Sequence, residues 1–256
     1  MNNFLETILK QKEIEVANMA EEEIGKLKQV PSLYDRLKSQ EQNMQIIAEL
    51  KRASPSKGDI RTEVDVVGQA IKYQAAEVAA ISVLTDEIYF KGSMADLKKV
   101  ATVVEVPVLC KDFIIDKKQL IRARNAGATV ILLIVAALDE DKLRELFEYA
   151  RQLSLEVLVE THNLEELRIA EKLGAKLIGV NNRNLETFDV DIAVSQKLAK
   201  HHQRQNEAVY ISESGIRTRA DVERVQKNYH AVLVGETLMR AKNPTSVAKE
   251  LKVLRT

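Results

Sequence analysis

Side chains able to carry protons recur in this chain at one kind of place, the ends of short apolar runs. Glu49 and Lys51 lie at the end of Ile46–Leu50, and Lys111 and Phe113 lie just past Val106–Cys110. Glu160 closes Glu156–Glu160, Asn181 and Arg183 follow the end of Lys176–Asn181, and Glu213 and Ser214 follow Ala208–Ser212. If these runs are β-strands, residues two apart share a face. Glu49 then sides with Lys51, Lys111 with Leu109, Glu160 with Leu158, and Asn181 and Arg183 with Gly179. Carboxylates and amines that meet in one cleft shift each other's proton affinity, which is what general acid–base chemistry needs. Scattered surface ion pairs are the plain alternative. The recurrence of such groups at the same end of five runs favours a shared site.

The last two apolar runs end in SESGI (Ser212–Ile216) and VGETL (Val234–Leu238). Gly215 and Gly235 let backbone N–H groups come close to a ligand. With Ser214 and Glu236 they read as a phosphate-binding pair of loops. The Glu236 carboxylate would repel a phosphate, so its side chain is expected to turn away while its backbone N–H faces inward.

The elements that would hold these residues follow from the pattern of apolar runs. Eight candidate strands, Ile46–Leu50, Ala79–Leu84, Val106–Cys110, Val130–Ile134, Glu156–Glu160, Lys176–Asn181, Ala208–Ser212 and Ala231–Gly235, alternate with helical segments. Their near-continuous apolarity suits strands buried on both faces of a parallel sheet. In Asp139–Leu153 the residues Leu143, Leu146, Phe147, Ala150 and Leu153 share one helical face. Asn163 with Glu166 and Thr218 with Asp221 read as helix starts, and Gly174 as a helix stop. Eight strand–helix units without a Gly-rich dinucleotide turn predict an α/β (βα)8 TIM barrel rather than a doubly wound sheet. Active sites of such barrels sit at the C-terminal ends of the strands. We expect a single barrel domain over 1–256, with a helical extension over 1–45 and the barrel over 46–256. In the extension Leu5, Ile8, Leu9 and Val16 share a face that would pack over one end of the barrel, and a second short helix around Leu33–Leu37 follows Pro31.

Composition narrows the partners. The 38 basic and 38 acidic side chains cancel, so no global field favours nucleic acid or an anionic membrane. The longest apolar run, Val130–Leu138, is too short to span a bilayer, and Glu6 and Lys10 interrupt any secretory signal core. One cysteine excludes an intrachain disulfide and fits the reducing cytoplasm. Cys110 has the phase of the helix-facing side, which suits a small core residue better than a nucleophile. Four scattered histidines lack zinc spacing. A monomer is expected, with a weak homodimer as the alternative.

IAELKRASPSKG (Ile47–Gly58), SVLTDEIYFKGS, LCKDFIID, VLVETH, IGVNNRNLETF, SESGI and LVGETLM occur in that order at the run ends. Together they resemble indole-3-glycerol phosphate synthase almost end to end. Thr161 stands where an aliphatic residue is more usual, and Lys91 where a small or polar one is. The resemblance implies conversion of 1-(2-carboxyphenylamino)-1-deoxyribulose 5-phosphate to indole-3-glycerol phosphate, with loss of carbon dioxide and water, as a step of tryptophan biosynthesis. It implies a phosphorylated small-molecule substrate and no metal or organic cofactor.

The expected catalytic set is then Lys111, Glu160, Glu49, Lys51 and Asn181. Lys111 would protonate the ketone oxygen, with its proton affinity lowered by Lys51 and partial burial. Glu160 would be the base, and Glu49 a proton donor or the residue that orients Lys51. Phe90, Phe113, Leu132 and Leu185, with Leu233 nearby, would form the slot for the aromatic ring. Lys51, Asn181 and Arg183 would hold the carboxylate or hydroxyls, and Glu213 would support substrate hydroxyls. Ser214, Gly215, Gly235 and Glu236 would bind phosphate, with Lys51 and Ser54 reaching it from the first loop. Ser54–Gly58 reads as a mobile lid. Two readings compete: a phosphoribosylanthranilate isomerase, which would need a cysteine and an aspartate in phase, and a barrel that binds a sugar phosphate without catalysis.

Overall fold

Each apolar run becomes a strand, because β-branched and aliphatic residues that alternate between two buried faces satisfy the ladder and both cores together. The computed structural model describes residues 4–185, 187–201 and 207–255. Residues 1–3 of the expected extension and Thr256 lie outside them. The chain begins with α1 (Phe4–Ala17) and α2 (Leu33–Ser39), then β1 (Gln45–Leu50) and a hairpin of β2 (Ala53–Ser54) and β3 (Gly58–Asp59). There follow α3 (Val66–Ala75), β4 (Ala80–Leu84), α4 (Met94–Val103), β5 (Val108–Lys111), α5 (Lys117–Asn125) and β6 (Val130–Ile134). A 3-10 turn over Val135–Ala137 precedes α6 (Glu140–Gln152), β7 (Glu156–Thr161), α7 (Leu164–Lys172), β8 (Leu177–Asn181) and α8 (Ala193–Leu198). The chain ends with β9 (Val209–Glu213), α9 (Arg219–Glu223), β10 (Ala231–Val234), α10 (Glu236–Arg240) and α11 (Pro244–Glu250).

Eight strands pair in parallel in the order β1–β10–β9–β8–β7–β6–β5–β4, and β1 also pairs with β4, which closes the barrel. The (βα)8 expectation from periodicity is met. Strand alternation divides the core into two layers. Ile47, Leu109, Leu132, Leu158, Leu177, Ile211 and Leu233 fill the barrel, while Ile46, Val83, Cys110, Val159 and Val180 pack outward under the helices. Burying one such side chain contributes about 1.5–3 kcal/mol, so every strand has its register fixed from both sides.

The two N-terminal helices serve opposite ends. On α2, Leu33 and Leu37 are fully buried against the barrel interior, and Arg36 donates to the carbonyls of Val78 and Ala79 just before β4. The Glu156 carboxylate at the start of β7 accepts from the N–H groups of Leu33 and Tyr34 and from Ser32 Oγ, so it neutralises donors that the first turn of α2 leaves free. This helix plugs the bottom of the barrel. Helix α1 lies across the top, with Leu5 and Ile8 buried and Leu9 and Val16 only partly so.

The same face of α1 carries a residue that periodicity did not single out. Lys12 is 2% exposed, with its Nζ 2.8 Å from Asp86, 2.9 Å from Asp112 and 2.9 Å from Glu15. An ammonium that deep is tolerated because three carboxylates surround it. Asp86 and Asp112 sit just past β4 and β5, so the cluster ties α1 to the upper rim.

The local stop and start signals are also realised, with one difference. Thr218 and Asp221 form a reciprocal capping box, and Gly174 follows α7 with φ +79°. Asn163 caps α7, but the Glu166 carboxylate reaches the N–H and ring of His162 rather than the N–H of Asn163. The segment read as a lid is the β2–β3 hairpin, whose turn residues are exposed.

Candidate active site

The upper mouth of the barrel opens into a cavity of about 530 Å³. Its walls include every residue that the sequence singled out. Glu49, Lys51 and Ser54 come from β1 and the hairpin, Phe90 from the loop after β4, and Lys111 and Phe113 from the end of β5. Leu132, Glu160, Asn181, Arg183 and Leu185 come from β6, β7 and the end of β8, followed by Glu213, Ser214, Gly215, Leu233, Gly235 and Glu236. Arg52, of opposite phase, leaves the cavity and pairs with Asp96 on α4.

At the floor, Lys111 Nζ lies 2.6 Å from Glu160 and 3.4 Å from Glu213. Glu160 also accepts a hydrogen bond from Asn181 Nδ2 at 3.1 Å, and its carboxylate lies 3.3 Å from His162 Nε2. The other end of the Asn181 amide accepts from the Arg183 N–H at 3.0 Å. Protein groups thus engage both ends of that amide and position Glu160, and the amide has a second N–H and a second lone pair beyond these two bonds. Lys51 Nζ lies 2.5 Å from Glu49, as expected of a carboxylate that orients it.

Proton affinities in this cluster depart from the sequence reading. Burial lowers that of Lys111, but the carboxylates of Glu160, Glu213 and Glu49 outweigh it and hold the ammonium well above the ordinary lysine range. The expected lowering by Lys51 is therefore reversed, because Lys51 is paired with Glu49 and three carboxylates act on Lys111. Burial pushes Glu160 up, yet Lys111 and His162 bring it well below the usual carboxylate range. Glu213 moves the other way, to about 8, through burial and the charges of Glu160 and Glu49, which Lys111 only partly offsets. Two carboxylates flanking one ammonium cannot both be fully compensated, so one stays ionised and the other holds a proton.

Two glycines make room for this arrangement. A Cβ on Gly179 would stand 2.1 Å from Glu213 Oε1, and one on Gly235 would stand 2.2 Å from Glu49 Oε1 and 3.2 Å from Lys51 Nζ. Gly235 therefore admits the Glu49–Lys51 pair as well as leaving its backbone open. Gly215 has φ +85° and Ser214 φ +67°, a pair of left-handed residues that bend the chain after β9. The Glu236 carboxylate is drawn to Arg240, 3.0 Å away. Ser54 Oγ and Glu213 Oε1 are buried without a hydrogen-bond partner. Both residues line the cavity.

Part of the wall was missed by the sequence reading. Phe4, Leu5 and Ile8 of α1 line the cavity, as do Ile60 beyond the hairpin and Phe188 in the loop after β8. Phe4 makes edge contacts with Tyr89 and Phe188, which closes the slot opposite Phe113. The apolar face of α1 was the available signal. It shows that the helix packs, but not on which end of the barrel. Among the described residues no group of three or more His, Cys, Asp or Glu side chains is arranged to hold a metal ion.

A family model for indole-3-glycerol phosphate synthase matches residues 5–251. The chain belongs to the indole-3-glycerol phosphate synthase family. A family protein of that name from Listeria welshimeri is 61% identical over 252 residues, which cover 98% of this chain and 99% of the relative. One from Streptococcus sanguinis is 56% identical over 250 residues, covering 98% and 97%. Indole-3-glycerol phosphate synthases are carboxy-lyases of tryptophan biosynthesis. Among solved structures, the thiamine phosphate pyrophosphorylase from Pyrococcus furiosus superposes with a TM-score of 0.62 at 15% identity, covering 86% of this chain and 96% of that one. A 3-hexulose-6-phosphate synthase gives 0.60 at 18% identity, covering 81% and 98%. At such identities these two speak to the barrel alone.

Proposed function

We propose that this cavity closes the pyrrole ring of indole-3-glycerol phosphate from 1-(2-carboxyphenylamino)-1-deoxyribulose 5-phosphate, with loss of carbon dioxide and water. The single observation that carries this reading is the Glu160–Lys111–Glu213 cluster at the base of an apolar slot. It presents a charged donor, an ionised base and a proton-holding carboxyl within one reacting radius. A module that only bound a sugar phosphate would have no use for such a set. The isomerase alternative needs a reactive thiol, and Cys110 is buried on the helix side with its thiol pushed up to about 12 by burial.

Phe90, Phe113, Leu132, Leu185 and Leu233 sandwich the aromatic ring against the sugar carbonyl, together with Phe4, Leu5 and Ile8. Holding two reacting carbons in attack geometry is worth up to about 7–11 kcal/mol. Lys111 donates its proton to the ketone oxygen as the ring carbon attacks. Departure of carbon dioxide restores the aromatic ring. Glu160 then takes the proton from the carbon beside nitrogen, while the hydroxyl leaves as water with a second proton from Lys111 or Glu213. Glu49 fixes Lys51, whose ammonium meets the substrate's anionic groups together with Arg183 and Ser54. The backbone N–H groups of Ser214, Gly215, Gly235 and Glu236 receive the phosphate. Binding energy from this distant group is then available to orient the reacting end.

The proposed working unit is the monomer. Among the described residues no helix is long and apolar enough to cross a membrane. The single cysteine, a free and buried thiol, is in keeping with the proposed place of work, the reducing cytoplasm. The test is turnover: the purified chain mixed with the carboxyphenylamino-deoxyribulose phosphate should develop indole fluorescence. A protein that binds the compound but yields no indole product would refute the proposal.

A further inference from the structure

The proposed reaction takes up a proton that the floor of the cavity must obtain from outside. Two protons convert the ketone oxygen to water, first as the C–C bond forms and then as the C–O bond breaks. One proton leaves the carbon beside nitrogen, and the substrate carboxylate departs as neutral carbon dioxide with its bonding pair returned to the ring. The balance is one proton consumed per turnover. Glu160 and Glu213 have side chains only 2% exposed, and that of Lys111 is 12% exposed. A substrate filling the cavity above them would cover the direct route from water.

A second route exists on the α7 side. His162 Nδ1 is hydrogen-bonded to Glu166 Oε2 at 3.0 Å, and His162 Nε2, buried and without a hydrogen-bond partner, lies 3.3 Å from Glu160 Oε1. Side-chain exposure rises along this line, from 2% at Glu160 to 12% at His162 and 14% at Glu166. Glu160 Oε2, its other oxygen, lies 2.6 Å from Lys111, so the line runs on to the donor itself. We propose that His162, held by Glu166, supplies the proton consumed in each cycle and acts through Glu160 to recharge Lys111. This rests on the ring-closure reading above.

Once the ring turns to align Nε2–H with Glu160, the imidazolium gives that proton to Glu160, Glu160 passes a proton to Lys111, and the neutral ring, after rotating about χ2, regains a proton that Glu166 has taken up from solvent. No oxidant or further reactant is needed, since only protons move. Imidazole is the side chain suited to this shuttle near neutrality. Burial disfavours its charge, but Glu160 and Glu166 outweigh that and raise His162 to about 9, so the ring is charged when the cycle begins. Among the described residues no other carboxylate lies within 4.0 Å of the ring nitrogens. The 3-10 turn Val135–Ala137 packed on β7 and α7 carries no charge, Asn181 of β8 is neutral, and Lys111 of β5 stands beyond Glu160.

His162→Gln keeps a side-chain N–H donor beside Glu160 but cannot relay protons. We expect kcat to fall about tenfold or more while KM stays within about twofold. The solvent deuterium isotope effect on kcat should rise, and added imidazole should restore rate in proportion to its concentration. Glu166→Gln, which leaves the ring in place, should show the same changes more weakly and keeps the test open if His162→Gln folds poorly. A kcat near that of the unaltered protein would overturn the proposal. So would a loss that imidazole does not relieve and that leaves the isotope effect unchanged. Absence of turnover by the unaltered protein would instead overturn the ring-closure reading, and the relay with it.

Discussion

Replacing Gly179 by alanine tests the geometry of the cluster without touching a titrating group. The added Cβ would lie 2.1 Å from Glu213 Oε1 and 3.5 Å from Leu158 Cδ1, so the carboxylate must retreat by roughly 1.3 Å to reach ordinary contact. It has little space, since it is 1% exposed inside the barrel and faces Lys111 at 3.4 Å. Any retreat changes its distance to that ammonium. A displacement of about 1 Å at a reacting group can cost about a hundredfold, or about 2.7 kcal/mol of barrel-held transition-state stabilisation. Overpacking should also cost about 1–3 kcal/mol of stability, which leaves the protein folded. The assay is steady-state formation of indole-3-glycerol phosphate by fluorescence, with circular dichroism to verify folding. The expected result is a kcat lowered about a hundredfold with KM within about threefold, because the phosphate loops are undisturbed. A folded variant that keeps more than about a third of the kcat would refute the claim that Glu213 is held in place by the bare wall at Gly179.

Three other outcomes follow from the same structure. Because Glu213 is raised to about 8 and works in its protonated form, kcat should decline as pH rises through that value, and Glu213→Gln should abolish this limb. An unchanged limb in the variant would assign it elsewhere. The sign for stability is the same: a carboxyl raised on folding stabilises below its unfolded range and loses that contribution as pH rises through its folded value. Lys12→Met leaves Asp86 and Asp112 buried without their ammonium, and chemical denaturation should show about 3–5 kcal/mol less stability. Because α1 also carries Phe4, Leu5 and Ile8, KM should rise in that variant; an unchanged KM would mean that α1 stays seated without Lys12. Cys110, 1% exposed, should resist an aromatic disulfide reagent in the native protein and react at once when unfolded.

Strand phase carried much of the site into view before any coordinates. Glu49, Lys51, Lys111, Glu160 and Asn181 belong to, or directly follow, strands whose alternation decides which way they face, and the barrel then brings their ends together. The same rule put Cys110 outside, and Arg52, of opposite phase to Lys51, lies outside as well. What periodicity does not encode is which element covers which end. Leu5 and Ile8 show that α1 is amphipathic, yet only the Lys12 cluster with Asp86 and Asp112 decides that it lies over the upper rim. Proton affinities were also out of reach, since they depend on distances between residues far apart in the chain. Lys111 looked like a lysine lowered by its neighbour Lys51, and the decisive charges come from Glu160 and Glu213, 49 residues away in the first case. Gly179 looks like an ordinary small residue in sequence, and Gly235 like part of a phosphate loop. Their role as bare wall against Glu213 and Glu49 appears only when the barrel is closed.

The central claim is that Lys111, kept charged by Glu160, is the acid that starts ring closure. Single-turnover rates for Lys111→Met, set beside its affinity for indole-3-glycerol phosphate, test it most directly. The account predicts a rate lowered by about 10²–10⁴ with product affinity within about threefold, because the phosphate loops and the ring slot remain. A variant that keeps a tenth or more of the rate would contradict it.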